Sequence, residues 1–189
     1  MVTRLALNQE SLGPIPSPPA MEKKKLLLKI KKIKIISEGQ FKLRSGLVSN
    51  LYCDVRKLFG NPGLLSAISD TIVEMLPKGT TCVAGSGYGG LPLASAVALA
   101  GKIKLIMVRN ETKNHGIKKS IEGYIPNRKD KIVIIDDLFT TGSSILSTVS
   151  ELKKTRANIT GAIVIIKRAE IKKFPIPLQY LFTLEDIVN

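Results

Sequence analysis

Three runs rich in Val, Ile and Leu, KIKLIMVR (102–109), KIVIID (131–136) and GAIVIIKR (161–168), limit the folds open to this chain. Their apolar residues are continuous rather than alternating, so each predicted strand is buried on both faces. That pattern belongs to a parallel sheet covered by helices on both sides. Helical spacing appears between the strands. LLSAISDTIVEML (64–76) sets Leu64, Leu65, Ile68, Ile72, Met75 and Leu76 on one face, and ILSTVSELKKTRA (145–157) does the same with Ile145, Leu146, Val149 and Leu152. A short strand, TCVA (81–84), precedes a helix, LPLASAVALA (91–100), and a strand near Leu178–Phe182 leads into a last helical turn. The alternation predicts an α/β fold with a central, mainly parallel sheet flanked by helices. Ligands of such sheets bind beyond the carboxyl ends of the strands.

The strand at 131–136 continues as IVIIDDLFTTGSS (132–144), so an apolar run ends in two adjacent carboxylates. A buried carboxylate is costly without a partner, and two neighbours repel each other. The segment from Leu138 and Phe139 to Ser144 reads as a turn into the next helix, expected to start near Ile145. Backbone N–H groups of Thr140, Thr141, Gly142, Ser143 and Ser144 would then face the crevice at a helix N-terminus, which is an anion site for a phosphate. Acids beside a phosphate nest make chemical sense when they bind sugar hydroxyls, with a divalent cation offsetting their charge. The expected ligand is a ribose phosphate. The plainer reading, a helix cap at Asp137 or Thr140, needs one such residue and leaves the rest without a task.

GSGYGG (85–90) follows one strand and precedes a helix. It matches the dinucleotide fingerprint, with Glu111 near the ribose-binding position, so a nicotinamide-dependent enzyme is one reading. The other is a second nest for a second phosphate group. Two nests at neighbouring strand ends suit a ribose phosphorylated at both ends. RNETKNHGIKK (109–119) is a polar, basic, irregular stretch, expected to be a loop in which Arg109, Lys113 and His115 neutralise a departing pyrophosphate.

The chain is long enough for one domain, with 189 residues of which 44% are apolar. Residues 1–20 hold four prolines and no periodicity, and are expected to be a disordered leader before a single domain over 21–189. Within that domain, 21–60 is expected to carry an N-terminal helix and a small hood, and 61–189 the core. MEKKKLLLKIKKIKII, with seven lysines, reads as an edge helix covering the core with Leu26, Leu27, Ile30 and Ile33 rather than as a membrane-surface helix. No run is long and apolar enough to span a bilayer. Cys53 and Cys82 have no CxxC spacing, and with a single His in the chain a zinc site of the usual Cys/His type is not expected. They read as small core residues in a reducing, cytoplasmic setting. The net charge of +14 favours polyanionic partners of any kind.

IVIIDDLFTTGSS resembles the phosphoribosyl-diphosphate (PRPP) signature of the type I phosphoribosyltransferases. The remainder is similar to the orotate-using branch of that family. FKLRSGLVSNLYCDVR looks like its F-x-L-x-S-G…S-x-x-Y-x-D-x-R segment, VAGSGYGGLPLA like its pyrophosphate loop, and VRNETKNHGIKKSIEG like its catalytic loop. IVIIKR and LFTLEDI resemble its C-terminal part. The resemblance implies the type I phosphoribosyltransferase fold with a small N-terminal hood over the sheet. It implies that Asp136 and Asp137 hold the ribose hydroxyls, Asp137 partly through Mg²⁺, and that Thr140 to Ser144 bind the 5′-phosphate, with Leu138 and Phe139 also at the PRPP. It assigns Tyr88, Gly89, Gly90 and Arg109 to the pyrophosphate. It puts Lys113 and His115 on a loop shared across a homodimer. Arg44, Ser45, Tyr52, Cys53, Thr140 and Arg168 would surround orotate. Two positions depart from the pattern: Asn110 stands where relatives often have Lys, and Gly89 where some have Lys.

The implied reaction is a displacement at ribose C1, with pyrophosphate leaving and an orotate ring nitrogen attacking. Arg168 and the 41–54 segment favour orotate over a purine or uracil, which have no carboxylate to pair. A PRPP-sensing regulator that binds nucleic acid with its basic face is the reading from another class, and the less favoured one.

Overall fold

The computed structural model describes residues 20–42, 48–109, 120–171 and 173–189. The expected leader lies outside them except for Ala20, the first residue of a helix. The elements run α1 (Ala20–Lys31), β1 (Ile36–Lys42), β2 (Val48–Cys53), a 3-10 turn (Val55–Gly60), α2 (Pro62–Met75), β3 (Cys82–Ser86) and α3 (Gly87–Gly101). There follow β4 (Lys104–Val108), β5 (Ile121–Gly123), β6 (Lys131–Phe139), α4 (Ser143–Lys153), β7 (Asn158–Lys167), β8 (Leu178–Thr183) and α5 (Leu184–Val188).

Six strands form the main sheet in the order β5-β4-β3-β6-β7-β8. All neighbours are parallel except the β4/β5 pair. The chain steps outward from β3 to β4 on one side and from β6 through β7 to β8 on the other. The order therefore reverses between β3 and β6, and a ligand crevice opens where two such halves meet. β1 and β2 pair antiparallel as a separate two-stranded sheet, with an irregularity between Glu38 and Phe41.

Strand periodicity sorts the core into two layers. Val133 and Ile135 of β6 join Leu26, Ile30, Ile68, Ile72, Leu93 and Val97 on the face covered by α1, α2 and α3. Ile132 and Ile134 join Ile145, Val149 and Leu152 of α4 on the other face. α1 is thus an edge helix: Leu26 and Ile30 are buried, Leu27 and Ile33 partly so, and the lysines between them mostly exposed. Cys53 and Cys82 are free and buried, as small core residues should be. No helix among the described residues is long and apolar enough to cross a membrane.

Several boundaries differ from the sequence expectation, those beside the two acids among them. β6 runs through both acids to Phe139 instead of ending at Asp136, because β7 continues to pair with it as far as Phe139↔Lys167. α3 begins at Gly87, inside the run expected to be a turn, and α4 at Ser143 rather than Ile145. β5 lies within the stretch expected to be unstructured, held by three register pairs to β4.

Candidate active site

Adjacent residues on a strand point to opposite faces, so Asp136 and Asp137, near the end of β6, start from opposite sides of the sheet. The Asp136 carboxyl is buried at 6% exposure and is held by the Asp137 N–H, which donates to its Oδ1 at 3.0 Å. The Ser144 hydroxyl, at the start of α4, also stabilises its charge. Asp137 lies against the first turn of α3 on the other side: a Cβ added at Gly89 would come 2.6 Å from its Oδ2. A Cβ at Gly90 would come 2.8 Å from the Ile135 carbonyl and 3.1 Å from Asp136 Oδ1. The glycine run lets the N-terminus of α3 rest directly on the acid pair.

Burial first, and then the charge of Asp137, pushes the Asp136 carboxyl well above the usual carboxylate range. Burial pushes Asp137 up as well, partly offset by Asp136 and by the positive charge of Arg56. Neither acid has a salt-bridge partner among the described residues. Such a pair is short of positive charge and of hydroxyl donors, and both are what a cation-bound sugar brings.

Two helix N-termini meet at this point. Gly142, with φ +76°, precedes α4 and offers no side-chain cap, and the Ser143 N–H donates only a long bond, 3.4 Å, to Thr141 Oγ1. Ser86 precedes α3 and does not cap it either. Its hydroxyl instead accepts from Thr148 Oγ1 at 3.0 Å, which ties the two helices together. First-turn N–H groups have no partners within the helix, so both ends stay available to anions. Tyr88 stands 88% exposed beside the α3 end. Of the 140–144 hydroxyls, Thr141 and Ser143 bond each other at 3.2 Å.

The hood meets the site through Arg168, at the end of β7. Its guanidinium donates to Ser49 Oγ at 2.5 Å and to the Leu51 carbonyl at 3.0 Å. Its backbone N–H donates to the Phe139 carbonyl at 2.9 Å. Tyr52 stacks at 5.3 Å on Phe41 and accepts from Arg56 Nη2 at 3.0 Å. Arg56 in turn pairs with Asp54 at 2.8 Å. Burial raises the Cys53 thiol to about 11, with Arg168 opposing and Asp137 and Asp54 adding to the rise. A neutral thiol is no nucleophile, so Cys53 contributes shape.

Arg109 ends β4 with its Nε and Nη2 on Glu122 Oε1, at 3.0 and 2.5 Å. It stands at the stem of the 110–119 segment, which with Arg44 and Ser45 lies outside the described residues, so Lys113 and His115 have no position here. Sequence reasoning gave no role to Ser49, Arg56 or Glu122, although all three sit inside quoted motifs. It passed over Phe174, which no motif contains.

The family model of the phosphoribosyl transferase domain matches residues 59–186. The orotate phosphoribosyltransferase of Methanocaldococcus jannaschii is 33% identical over 171 residues, covering 88% of this chain and 97% of that one. That of Pyrococcus furiosus is 36% identical over 151 residues, 78% of this chain and 82% of its own. The solved orotate phosphoribosyltransferase of Aeropyrum pernix superposes with a TM-score of 0.73 at 30% identity, covering 86% of this chain and 96% of that one. The chain therefore belongs to the phosphoribosyltransferase family. Within it, the chain takes its place among the orotate phosphoribosyltransferases. The dinucleotide reading of GSGYGG falls with that result.

Proposed function

We propose that this site transfers ribose 5-phosphate from PRPP to orotate, giving orotidine 5′-monophosphate and pyrophosphate for pyrimidine synthesis. The observation that carries the reading is the pair of uncapped helix N-termini flanking two adjacent acids. PRPP has the matching layout: anionic groups at both ends of a ribose and hydroxyls between them.

In this reading the N–H groups of 140–144 take the 5′-phosphate, and Asp136 and Asp137 accept from the ribose hydroxyls. The α3 terminus at Tyr88, Gly89 and Gly90 takes the diphosphate. Positioning both ends holds C1 open to the base above it. As the bond to pyrophosphate lengthens, positive charge grows on the ring and the two carboxylates stabilise it. Negative charge grows on the leaving group. The α3 terminus meets that charge, and so does Arg109 once it exchanges Glu122 for phosphate. Lys113 and His115 are the further cations expected on the adjoining loop. The base nitrogen supplies the electron pair for the new bond and loses its proton as the bond forms. Tyr52, Cys53 and Thr140 wall the base, with Arg44 and Ser45 expected beside them. The free edge of Arg168 pairs with the orotate carboxylate.

Mg²⁺ fits this donor set. Two hard carboxylate oxygens without a resident cation suit an ion that keeps waters and substrate oxygens as its other ligands. Bound there through Asp137, it supplies charge against the acids and the diphosphate. The reading extends to a cytoplasmic homodimer in which 110–119 serves the partner's site.

Orotate absorbance measured with PRPP and Mg²⁺ tests the reading. Consumption that requires both, and collapses in Asp137→Asn and Lys113→Ala, is expected. PRPP binding without orotate consumption would overturn orotate as the base and send the search to other bases.

A further inference from the structure

Gly142 opens the phosphate-facing turn with φ +76°, and it is buried although its loop is polar. Two aromatic rings occupy the space its side chain would need. A Cβ at 142 would lie 2.7 Å from Phe139 Cε2 and would also collide with Phe174. The two rings meet edge to face, 5.3 Å between centroids at 87°. Phe139 belongs to β6, so its place there follows from the sheet. Phe174 does not. It comes from the β7–β8 connection, more than thirty residues further along the chain.

That connection grips the end of β6 twice. At its start, the Arg168 N–H donates to the Phe139 carbonyl at 2.9 Å. Further on, Phe174 closes over the Phe139 ring and the Gly142 backbone. Phe174 is only partly buried, and its flank opens on a hollow lined by Ile171, Lys173 and Pro175. The ring is therefore not a filler of the interior. It fills the space that a side chain would need at Gly142, whose left-handed conformation turns the chain into α4. Hydrogen bonds weaken steeply with distance and angle, so the height of that backbone decides how well its N–H groups meet an anion.

We propose that Phe174 is a positioning residue for the 5′-phosphate: its ring is the stop against which Gly142 rests, and it holds the 140–144 N–H groups at binding height. The proposal rests on the reading of this turn as the 5′-phosphate nest.

The test uses the full chain with Phe174→Ala and Phe174→Leu, and ribose 5-phosphate as the probe, titrated by calorimetry. Steady-state kinetics for PRPP and orotate accompany it. In Phe174→Ala, affinity for ribose 5-phosphate and the KM for PRPP are expected to worsen about tenfold, since small misplacements carry large penalties. The KM for orotate stays put and kcat falls far less. Phe174→Leu, which restores bulk, recovers most of the loss. A purely structural role would lower the active fraction and kcat and leave the PRPP-to-orotate KM ratio unmoved; that result overturns the proposal. If Phe174→Ala does not fold, the same ratio is read in Phe174→Leu, where about a threefold rise supports the proposal and no rise overturns it. Wild-type protein that binds no ribose 5-phosphate would strike down the nest reading itself. Wild-type binding that Phe174→Ala leaves unchanged would strike down the positioning role alone.

Discussion

Arg168 Nη2 donates to Ser49 Oγ at 2.5 Å across 119 residues of sequence, joining the end of β7 to the hood. Ser49 Oγ in turn donates to the Leu51 carbonyl at 2.8 Å, which Arg168 also reaches. The arginine expected to meet the base is thus aimed by the hood. Ser49→Ala removes one of its two anchors. A hydrogen bond to a charged group contributes about 1.5 kcal/mol, so the KM for orotate should rise about tenfold. The KM for PRPP should barely move. Initial-rate kinetics with each substrate varied in turn reads the difference.

Alanine normally suits a helix better than glycine by about 0.5–1 kcal/mol. At Gly89 the sign reverses, because the new Cβ meets the Asp137 carboxylate. Gly89→Ala is expected to cost about 1–3 kcal/mol of stability, as overpacking does, and to weaken PRPP binding. Gly63, in the first turn of α2, is the control, with only Asn61 Oδ1 at 3.7 Å from its added Cβ. Gly63→Ala should be neutral or stabilising. Thermal unfolding of both variants, with and without PRPP, separates the cases.

The acid pair makes the unliganded protein sensitive to alkali. Asp136 is raised by burial and by Asp137 from 3.8 to about 7. Between those values the folded state binds more protons than the unfolded chain, so stability falls as pH rises through that window. Urea unfolding at pH 5 and pH 8 should differ by on the order of 1–2 kcal/mol in favour of pH 5. Asp136→Asn should abolish that difference and stabilise the protein at pH 8 while ending turnover. A slope that survives the substitution would show that other groups cause it.

Asp130 behaves in the opposite sense at the far end of the sheet. Its buried carboxylate is raised by burial, but hydrogen bonds from the Asn127 N–H, Thr81 and Tyr124 outweigh that and hold it well below the usual range. Its contribution is complete above the unfolded value near 3.8 and is lost as pH falls below it. Asp130→Asn is expected to cost about 1–3 kcal/mol at pH 7 by unpairing buried donors. It should also flatten the acid limb of stability below pH 4, with kcat unchanged. Denaturant midpoints across pH 2.5–7 provide the check, a range set by these carboxylate values.

What could be read in the sequence was whatever local chemistry determines. The β-branched runs of β4, β6 and β7 gave their strands away, and Asp136, Asp137 and Thr140–Ser144 raised the expectation of a sugar phosphate. β5 was hidden because three residues carry no period, and its pairing to β4 exists only in the folded sheet. The start of α3 was hidden because a glycine run reads as a turn. Those glycines sit in a helix that packs closely on β6, where a Cβ at Gly90 would meet the Ile135 carbonyl and one at Gly89 the Asp137 carboxylate, a tertiary demand that overrides propensity. Glu122, paired across the strands with Met107, meets the Arg109 side chain only in the folded sheet, and Phe174 reaches Gly142 from another connection; neither relationship has a trace in local spacing.

The hood is a sheet of only two strands. A ribbon of that size does not hold its own shape in water. Its form is borrowed from Arg168 and from the 3-10 turn that follows it, so base recognition is no detachable cassette. Grafting residues 36–53 from a relative with another base preference would bring the new pocket walls without the arginine contact that shapes them. A change of base in this lineage has to alter both ends of the chain together.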